Sequence, residues 1–378
     1  MSLPQFKLLR PRSVEEAVEF LASHEARVGT AAPGRPSDAD HGGTGALARP
    51  ADAVSASAAD VPASGGRGRP PLQVSIRVIA GGTDLIPSLR QRLFEPEYVL
   101  DLRGIAALRG IKAKPDGGVE IGALTTLRTI EKSDFLRLHY PVLTEAAATV
   151  ASPVLRNMGT IGGNICLDTR CLWYNQSLTW RKGCGFCIKK DGDLCHVAPG
   201  GTKCWAAFSG DTPPALLCLD AEIEIVGTVG IRRLPLRDFY TGLGDNYRKL
   251  QADEIVTRVF LPASSADYSG VYRKLRVRGS IDYPLAGVAV VMKRSNGHVA
   301  DARIGISAVN PAPLLVKGAS ELLAGRVVDE ALADAVGDLA ARTAKPLTTS
   351  ALTPEYRREM IRVFTKRAVL AAANNQVI

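Results

Sequence analysis

Six of the seven cysteines in this chain of 378 residues fall between Cys166 and Cys204, in CLDTRCLWYNQSLTWRKGCGFCIKKDGDLCHVAPGGTKC, and Cys218 follows closely. No other feature limits the fold so sharply, because so many thiols must be organised either by disulfides or by metal. The expected compartment separates the two. The N-terminus MSLPQFKLLRPRSVEEAVEFL lacks the continuous apolar stretch of a secretion signal. No run approaches the roughly 18–20 apolar residues needed to cross a bilayer, so the expectation is a cytoplasmic protein with no membrane association. Thiols stay reduced there, which points the cluster toward metal or redox chemistry. An odd number also fits complete pairing badly.

A chain of this length with 46% apolar residues and 22% charge supports two or three domains with sizeable cores. Its net charge of +9 suits an anionic partner. Lys and Arg are spread along the whole chain, and the 6% aromatic content builds no stacking platform with them, so nucleic acid is not expected. A phosphate-bearing cofactor or an acidic protein is the better match.

Ser13 and Glu16 form a capping box, and Val14, Ala17, Val18 and Leu21 give the helix behind it one apolar face. Residues 29–71 are rich in Ala, Gly, Pro, Ser and Asp and read as a disordered or loosely attached insertion. VSIRVIAGGTDLIPSLRQRL then predicts a strand, a glycine turn and a helix with Leu85, Leu89 and Leu93 on one side. YVLDL and GVEIGALTTL continue the α/β pattern, and TTLRTIEKSDFLRLHYPVLTEAAATV reads as helical. PPALLCLDAEIEIVG reads as a half-buried strand, and the following segment to Pro262 as loop, helix and strand. A domain change is expected near Ser265. Beyond it come three strands, a hairpin turn in RSNGHV, and helices that include one capped by Thr353 with Pro354 at its first position.

Two Gly-Gly turns stand out. AGGTDL, from Ala80 to Leu85, joins strand to helix, and GTIGGNI runs from Gly159 to Ile165, its GGNI part reading as a strand that ends at Cys166. Paired glycines let backbone N–H groups approach an anion, with a helix N-terminus adding a favourable dipole. The first turn alone also suits a tight connection with no ligand. Together, the two loops suit a pyrophosphate clasped from both sides by uncharged donors. Neither matches G-x-G-x-x-G or G-x-x-x-x-G-K-[ST].

The segments IAGGTDLIPSLR, DLRGI, IGALTTL, VASPVLRNMGTIGGNI, SGDTPPALLCLDAEIEI, DEIVTRVFLP and YRKLRVRGSIDYPLAGVAV occur in an order that resembles the FAD-binding subunits of the molybdenum hydroxylase family. The resemblance covers most of the chain outside residues 29–71. It implies an α+β protein: a two-lobed, PCMH-like FAD-binding domain over residues 1–264, then a smaller α+β domain of the CO dehydrogenase flavoprotein type over 265–378. It also implies that Val78, Ile79, Ala80, Gly81, Gly82, Thr83, Asp84 and Leu85, with Thr160, Ile161, Gly162, Gly163 and Asn164, hold the FAD diphosphate. Asp211 is expected near the adenosine part, Val256 as a main-chain contact, and Lys274 as a basic residue close to the flavin. Without the motif, Asp211 reads equally well as a turn residue and Lys274 as a solvated strand residue.

Most members of that family pass directly from the GGN loop to the segment containing Asp211; here the cysteines lie in an insertion over residues 167–208. It resembles the insertion of the 4-hydroxybenzoyl-CoA reductase branch, whose beta subunit carries a 4Fe-4S cluster beyond the FAD. That branch's pattern implies Cys171, Cys187, Cys195 and Cys204 as cluster ligands. Cys184 is their rival because it forms C-x-x-C with Cys187, whereas Cys166 and Cys218 read as buried free thiols. Zinc is the alternative metal, since four thiolates bind it tightly. His196 reads as a neighbour rather than a ligand, and Trp173, Tyr174, Trp180, Phe186 and Trp205 as a shield against water.

The resemblance implies an electron-transfer subunit with no catalytic nucleophile or acid–base pair of its own. Its partners would be a molybdopterin-containing large subunit and a small subunit with two 2Fe-2S clusters, assembled as a dimer of heterotrimers. A ferredoxin-like donor would feed the 4Fe-4S centre, with electrons passing through FAD and 2Fe-2S to molybdenum. There 4-hydroxybenzoyl-CoA would lose its phenolic hydroxyl to give benzoyl-CoA. Two other readings stand beside this one: the flavin subunit of another hydroxylase oxidising an aldehyde, CO or a heterocycle, and a cofactor-free, metal-stabilised binding protein.

Overall fold

The structure is a computed structural model that describes residues 2–25 and 75–374. The low-complexity insertion expected at 29–71 lies outside the described residues. The first sheet is parallel and three-stranded: β1 (Lys7–Leu9), β3 (Tyr98–Asp101) and β2 (Ile76–Ile79), in that spatial order. Helix Val14–Glu25 covers it. Ser13 Oγ accepts from the Glu16 N–H at 3.1 Å, while the Glu16 carboxylate reaches one residue further back than expected, to the Arg12 N–H at 2.6 Å. Ala17, Val18 and Leu21 are buried with Leu100, Leu102, Ile105 and Leu108.

A second, antiparallel sheet has the order β4 (Ile111–Ala113), β5 (Val119–Gly122), β8 (Ile255–Leu261), β6 (Glu222–Gly227) and β7 (Gly230–Pro235). Between β5 and β6 in sequence, the stretch expected as one helical run is three helices: Leu127–Lys132, Asp134–His139 and Pro141–Thr149. Ser133 interrupts the first two by capping the second, its Oγ accepting from the Leu136 N–H at 3.2 Å. Pro141 drives Tyr140 out of the helical region, to φ −139° and ψ 53°.

Two strand expectations are corrected. PPALLC is helix Thr212–Cys218, and the strand begins only at Glu222. The apolar run is buried all round rather than alternating, and prolines in the first turn favour helix initiation. GGNI is also not a strand: Ile161–Ile165 is a short helix capped by Thr160, with Cys166 at its C-terminal end.

The third sheet is β9 (Ser269–Leu275), β10 (Ala286–Ser295), β11 (His298–Ser307) and β12 (Leu314–Leu315), antiparallel with β10 and β11 at the centre. Asn296 and Gly297 make the expected turn with positive φ at both positions, 51° and 82°. β10 is apolar on both faces. Val288, Val290 and Met292 join the core under helices Glu330–Thr343 and Pro354–Ala373, whereas Ala289 and Val291 join the central core around Phe208 and Leu216. The C-terminal unit is therefore anchored to the rest. Thr353 caps its last helix through the Tyr356 N–H at 3.2 Å. The same helix's fully buried Arg357 donates to the carbonyls of Leu285, Ala308 and Leu347 at 2.5–2.9 Å.

Candidate functional site

Between the parallel sheet, the GGN helix, the cysteine insertion and the loop after β9 lies a cleft of about 1490 Å³. That exceeds the roughly 300–1,000 Å³ of an ordinary small-molecule pocket and suits an extended dinucleotide. Val78 to Leu85, Thr160, Gly162, Gly163, Asn164, Asp211 and Val256 all line it; Ile161 and Lys274 do not.

The two glycine loops meet. A Cβ on Gly81 would sit 1.9 Å from the carbonyl oxygen of Met158, just before the second loop, so glycine is obligatory for this approach. Gly82 has φ +74°, a second reason for glycine in the first turn. Among the described residues, the N–H groups of Gly81, Gly82, Thr83 and Asp84 donate to no protein acceptor. A row of unpaired backbone donors beside a cleft is an anion site in waiting. The second loop is more self-contained. Ile161 and Gly162 N–H groups donate to the Thr125 and Ala123 carbonyls at 3.0 and 2.9 Å, and Gly163 donates to Thr160 Oγ1 at 3.1 Å. Ile161 is thereby turned into the core, where it is fully buried.

The polar side chains assigned from sequence are largely engaged with one another. Asn164 Oδ1 accepts from the Thr212 N–H at 3.0 Å and hydroxyl at 2.8 Å, tying the GGN helix to the next segment. Asp211 is buried; it accepts from Tyr272 at 2.9 Å and pairs with Lys274 at 3.0 Å. Burial pushes its carboxyl above the usual range, against the pull of the Lys274 ammonium and the Tyr272 hydroxyl. Lys274 also donates to the Thr149 carbonyl at 3.0 Å, so it stands behind Asp211 and acts on the cleft through it.

Sequence reasoning missed the cations and aromatic residues supplied by long-range contacts. Arg170, at the start of the insertion, pairs with Asp84 of the first glycine loop and donates to Tyr283 at 2.7 Å, while Tyr283 donates to Asp84 at 2.6 Å. Lys189 is held by Asp168 at 2.8 Å and by the Gly244 carbonyl at 2.7 Å. Arg77 needs no special motif to be found: in β2 it lies four residues before Gly81 and lines the same cleft.

The insertion separates the cysteines by burial. Cys171, Cys187, Cys195 and Cys204 are 9%, 7%, 5% and 5% exposed. Cys171, Cys187 and Cys204 pack in one cluster with Leu93, Tyr174 and Ala206, while Cys184 is only half-buried. Cys171 also lines the cleft. Burial pushes the Cys171 thiol up to about 11 and the Cys204 thiol up to about 12, so without metal both are neutral. Among the described residues no three His, Cys, Asp or Glu side chains stand in a ready metal-binding arrangement. The four thiols thus fit a cluster in number and burial, not in preformed geometry. His196 stacks on Trp173 at 4.4 Å and contacts the Phe186 carbonyl through Nε2 at 2.5 Å, consistent with a neighbouring role. Tyr174 is buried in the cluster, whereas Trp180 is 40% exposed. Cys218 is fully buried, and the half-buried Cys166 is fixed by its carbonyl, which accepts from Arg248 at 2.8 Å and Tyr247 at 3.1 Å.

Residues 62–264 match the family model of the FAD binding domain in molybdopterin dehydrogenase, and residues 270–372 that of the CO dehydrogenase flavoprotein C-terminal domain. The carbon monoxide dehydrogenase medium chain of Afipia carboxidovorans is 32% identical over 78% of this chain and 87% of its own length. The nicotinate dehydrogenase FAD-subunit of Eubacterium barkeri is 30% identical over 66% of this chain and 71% of its own. Among solved structures, a reconstituted CO dehydrogenase from Oligotropha carboxidovorans superposes with a TM-score of 0.71 at 26% identity, covering 100% of both chains. Among the described residues no helix is long and apolar enough to cross a membrane.

Proposed function

This chain belongs to the FAD-binding subunits of the molybdenum hydroxylase family, and from that premise we propose that it is the electron-transfer subunit of a 4-hydroxybenzoyl-CoA reductase-type complex, carrying FAD and a 4Fe-4S cluster. Its partners are a molybdopterin-containing large subunit, a small subunit with two 2Fe-2S clusters and a ferredoxin-like donor. Residues 1–264 form the flavin-binding part and 265–378 the C-terminal part. The observation that carries this reading is Cys171: it belongs to the buried thiol cluster and also lines the cleft of the glycine loops. A thiolate-bound centre there would adjoin the flavin.

Bound FAD exchanges electrons singly or in pairs, which suits it to join one-electron centres to a two-electron reaction. The chain's own residues bind and insulate. Gly81 to Asp84 offer unpaired N–H donors to a diphosphate, and Gly81 brings the loops together. Asp211, neutralised by Lys274, supplies a rigid wall rather than a mobile charge.

A second reading follows from the relatives: the flavin subunit of a hydroxylase acting on CO, an aldehyde or a heterocycle, with zinc in the insertion. Metal and flavin analysis of the full chain purified without oxygen separates the two. One flavin and four irons per chain, with iron lost in Cys195→Ser and retained in Cys166→Ser, supports the cluster. One flavin with one zinc supports the second reading and rejects the first.

A further inference from the structure

Three cations converge on one short segment beside the thiols. Arg181 Nη2 donates to the Arg92 carbonyl at 2.7 Å, Lys190 Nζ donates to the Leu93 carbonyl at 2.5 Å, and the Arg77 guanidinium lies 3.9 Å from the centre of the Phe94 ring. Arg92 has a left-handed backbone, φ 56°, at the turn that presents these consecutive carbonyls to the insertion. Leu93 between them is fully buried against Cys171, Cys187 and Cys204. The segment is thus a wall shared by cations and thiols.

Among the described residues none of these cations has a carboxylate in contact, although the charge of Asp168, itself paired with Lys189, reaches Arg77. The ion pairs of the region join Arg92 to Glu95, Arg170 to Asp84 and Lys189 to Asp168. Among the described residues, no carboxylate forms an ion pair with Arg77, Arg181 or Lys190; Asp191 and Glu95 are the carboxylates whose charge reaches Lys190, without contact. Arg181 is the extreme case, being 2% exposed with Nε and Nη1 buried and unpartnered. A buried guanidinium with orphaned donors is costly unless something anionic completes it. A protonated thiol, which carries no charge, does not. Four thiolates around an iron–sulfur core do, because the assembly is anionic and its sulfurs accept hydrogen bonds.

We propose that Arg181, flanked by Arg77 and Lys190, is the built-in counter-charge of a thiolate-bound iron–sulfur cluster at Cys171, Cys187, Cys195 and Cys204, and that it raises the cluster's reduction potential. This rests on the cluster reading given above. One-electron reduction by a low-potential donor adds one negative charge and no proton, so a fixed cation alongside stabilises the reduced form over the oxidised one. Arg181 is a positioning residue: it acts on the potential and touches no substrate.

The test is a dithionite titration of the full chain, purified without oxygen and followed by electron paramagnetic resonance, for the wild type, Arg181→Lys, Arg181→Gln and Lys190→Gln. Wild type and Arg181→Lys should titrate together, while both Gln variants keep four irons per chain and titrate at more negative potential, Arg181→Gln the further. Unchanged potentials in both Gln variants with iron retained overturn the counter-charge and leave the cluster standing. A wild-type chain without iron overturns the cluster and this proposal with it. Should Arg181→Gln fail to fold, Lys190→Gln, at a half-buried side chain, is sufficient by itself: a more negative potential supports the counter-charge and an unchanged one overturns it.

Discussion

The glycine-loop cleft and the cysteine insertion use opposite economies of polar groups. At the cleft the side chains satisfy one another: Asn164 holds Thr212, and Asp211 holds Lys274 and Tyr272. What remains open is backbone, the N–H groups from Gly81 to Asp84. In the insertion the side chains themselves are incomplete. Three of the four buried thiols pack in one cluster, and Arg181, buried in the same insertion, has donors to spare. The first region is a finished scaffold with backbone donors left open, and the second leaves side-chain donors of Arg181 without a partner among the described residues.

If the two regions are separable in this way, cleft mutations should cost flavin and stability without costing iron. The largest effect is expected from Asp211→Ala, which leaves the Lys274 ammonium buried and unpaired, at about 3–5 kcal/mol. Denaturant unfolding should show that loss together with reduced flavin content. Iron lost in the same proportion would make the regions one unit and break the comparison. Gly81→Ala comes next, since its Cβ must displace the Met158 carbonyl. An overpacking cost of about 1–3 kcal/mol is expected, with flavin fluorescence released into solution and iron retained.

Two smaller effects sharpen the contrast. Arg170→Gln removes the ion pair that links the insertion to Asp84, and should lower stability by about 1 kcal/mol or less; a larger loss would make Arg170 the hinge between the regions. In the metal-stripped chain, Cys171 and Cys204 are held by burial at about 11 and about 12, so at pH 8 they should alkylate slowly while half-buried Cys184 labels first. Because unfolding restores ordinary thiols, this protonation supports the metal-free fold fully below about pH 8.5. The support is lost as pH rises through 11–12. Cys184→Ser should change iron and flavin least of all.

Local chemistry makes much of this readable from sequence. Ser13, Thr353 with Pro354, and Asn296-Gly297 each carry their cap or turn in adjacent residues. The glycine loops are legible because backbone binding leaves glycine as its trace. Thr212–Cys218 misleads because a short run apolar on every side has no period, so only its prolines mark it as a helix. The family resemblance puts Lys274 close to the flavin, but a strand pattern alone does not reveal that it pairs with Asp211. Arg170 and Arg181 are invisible for the same reason: each gains its meaning from a partner distant in sequence.

The central claim is an iron–sulfur centre in the thiol cluster beside the flavin cleft. A crystal structure of the chain, grown without oxygen and measured at the iron absorption edge, tests it most directly. An anomalous peak bounded by the sulfurs of Cys171, Cys187, Cys195 and Cys204, next to flavin density against Gly81 and Gly82, is the result this account requires. Flavin in the cleft with no iron signal among those sulfurs, or with a signal only at the zinc edge, would contradict it.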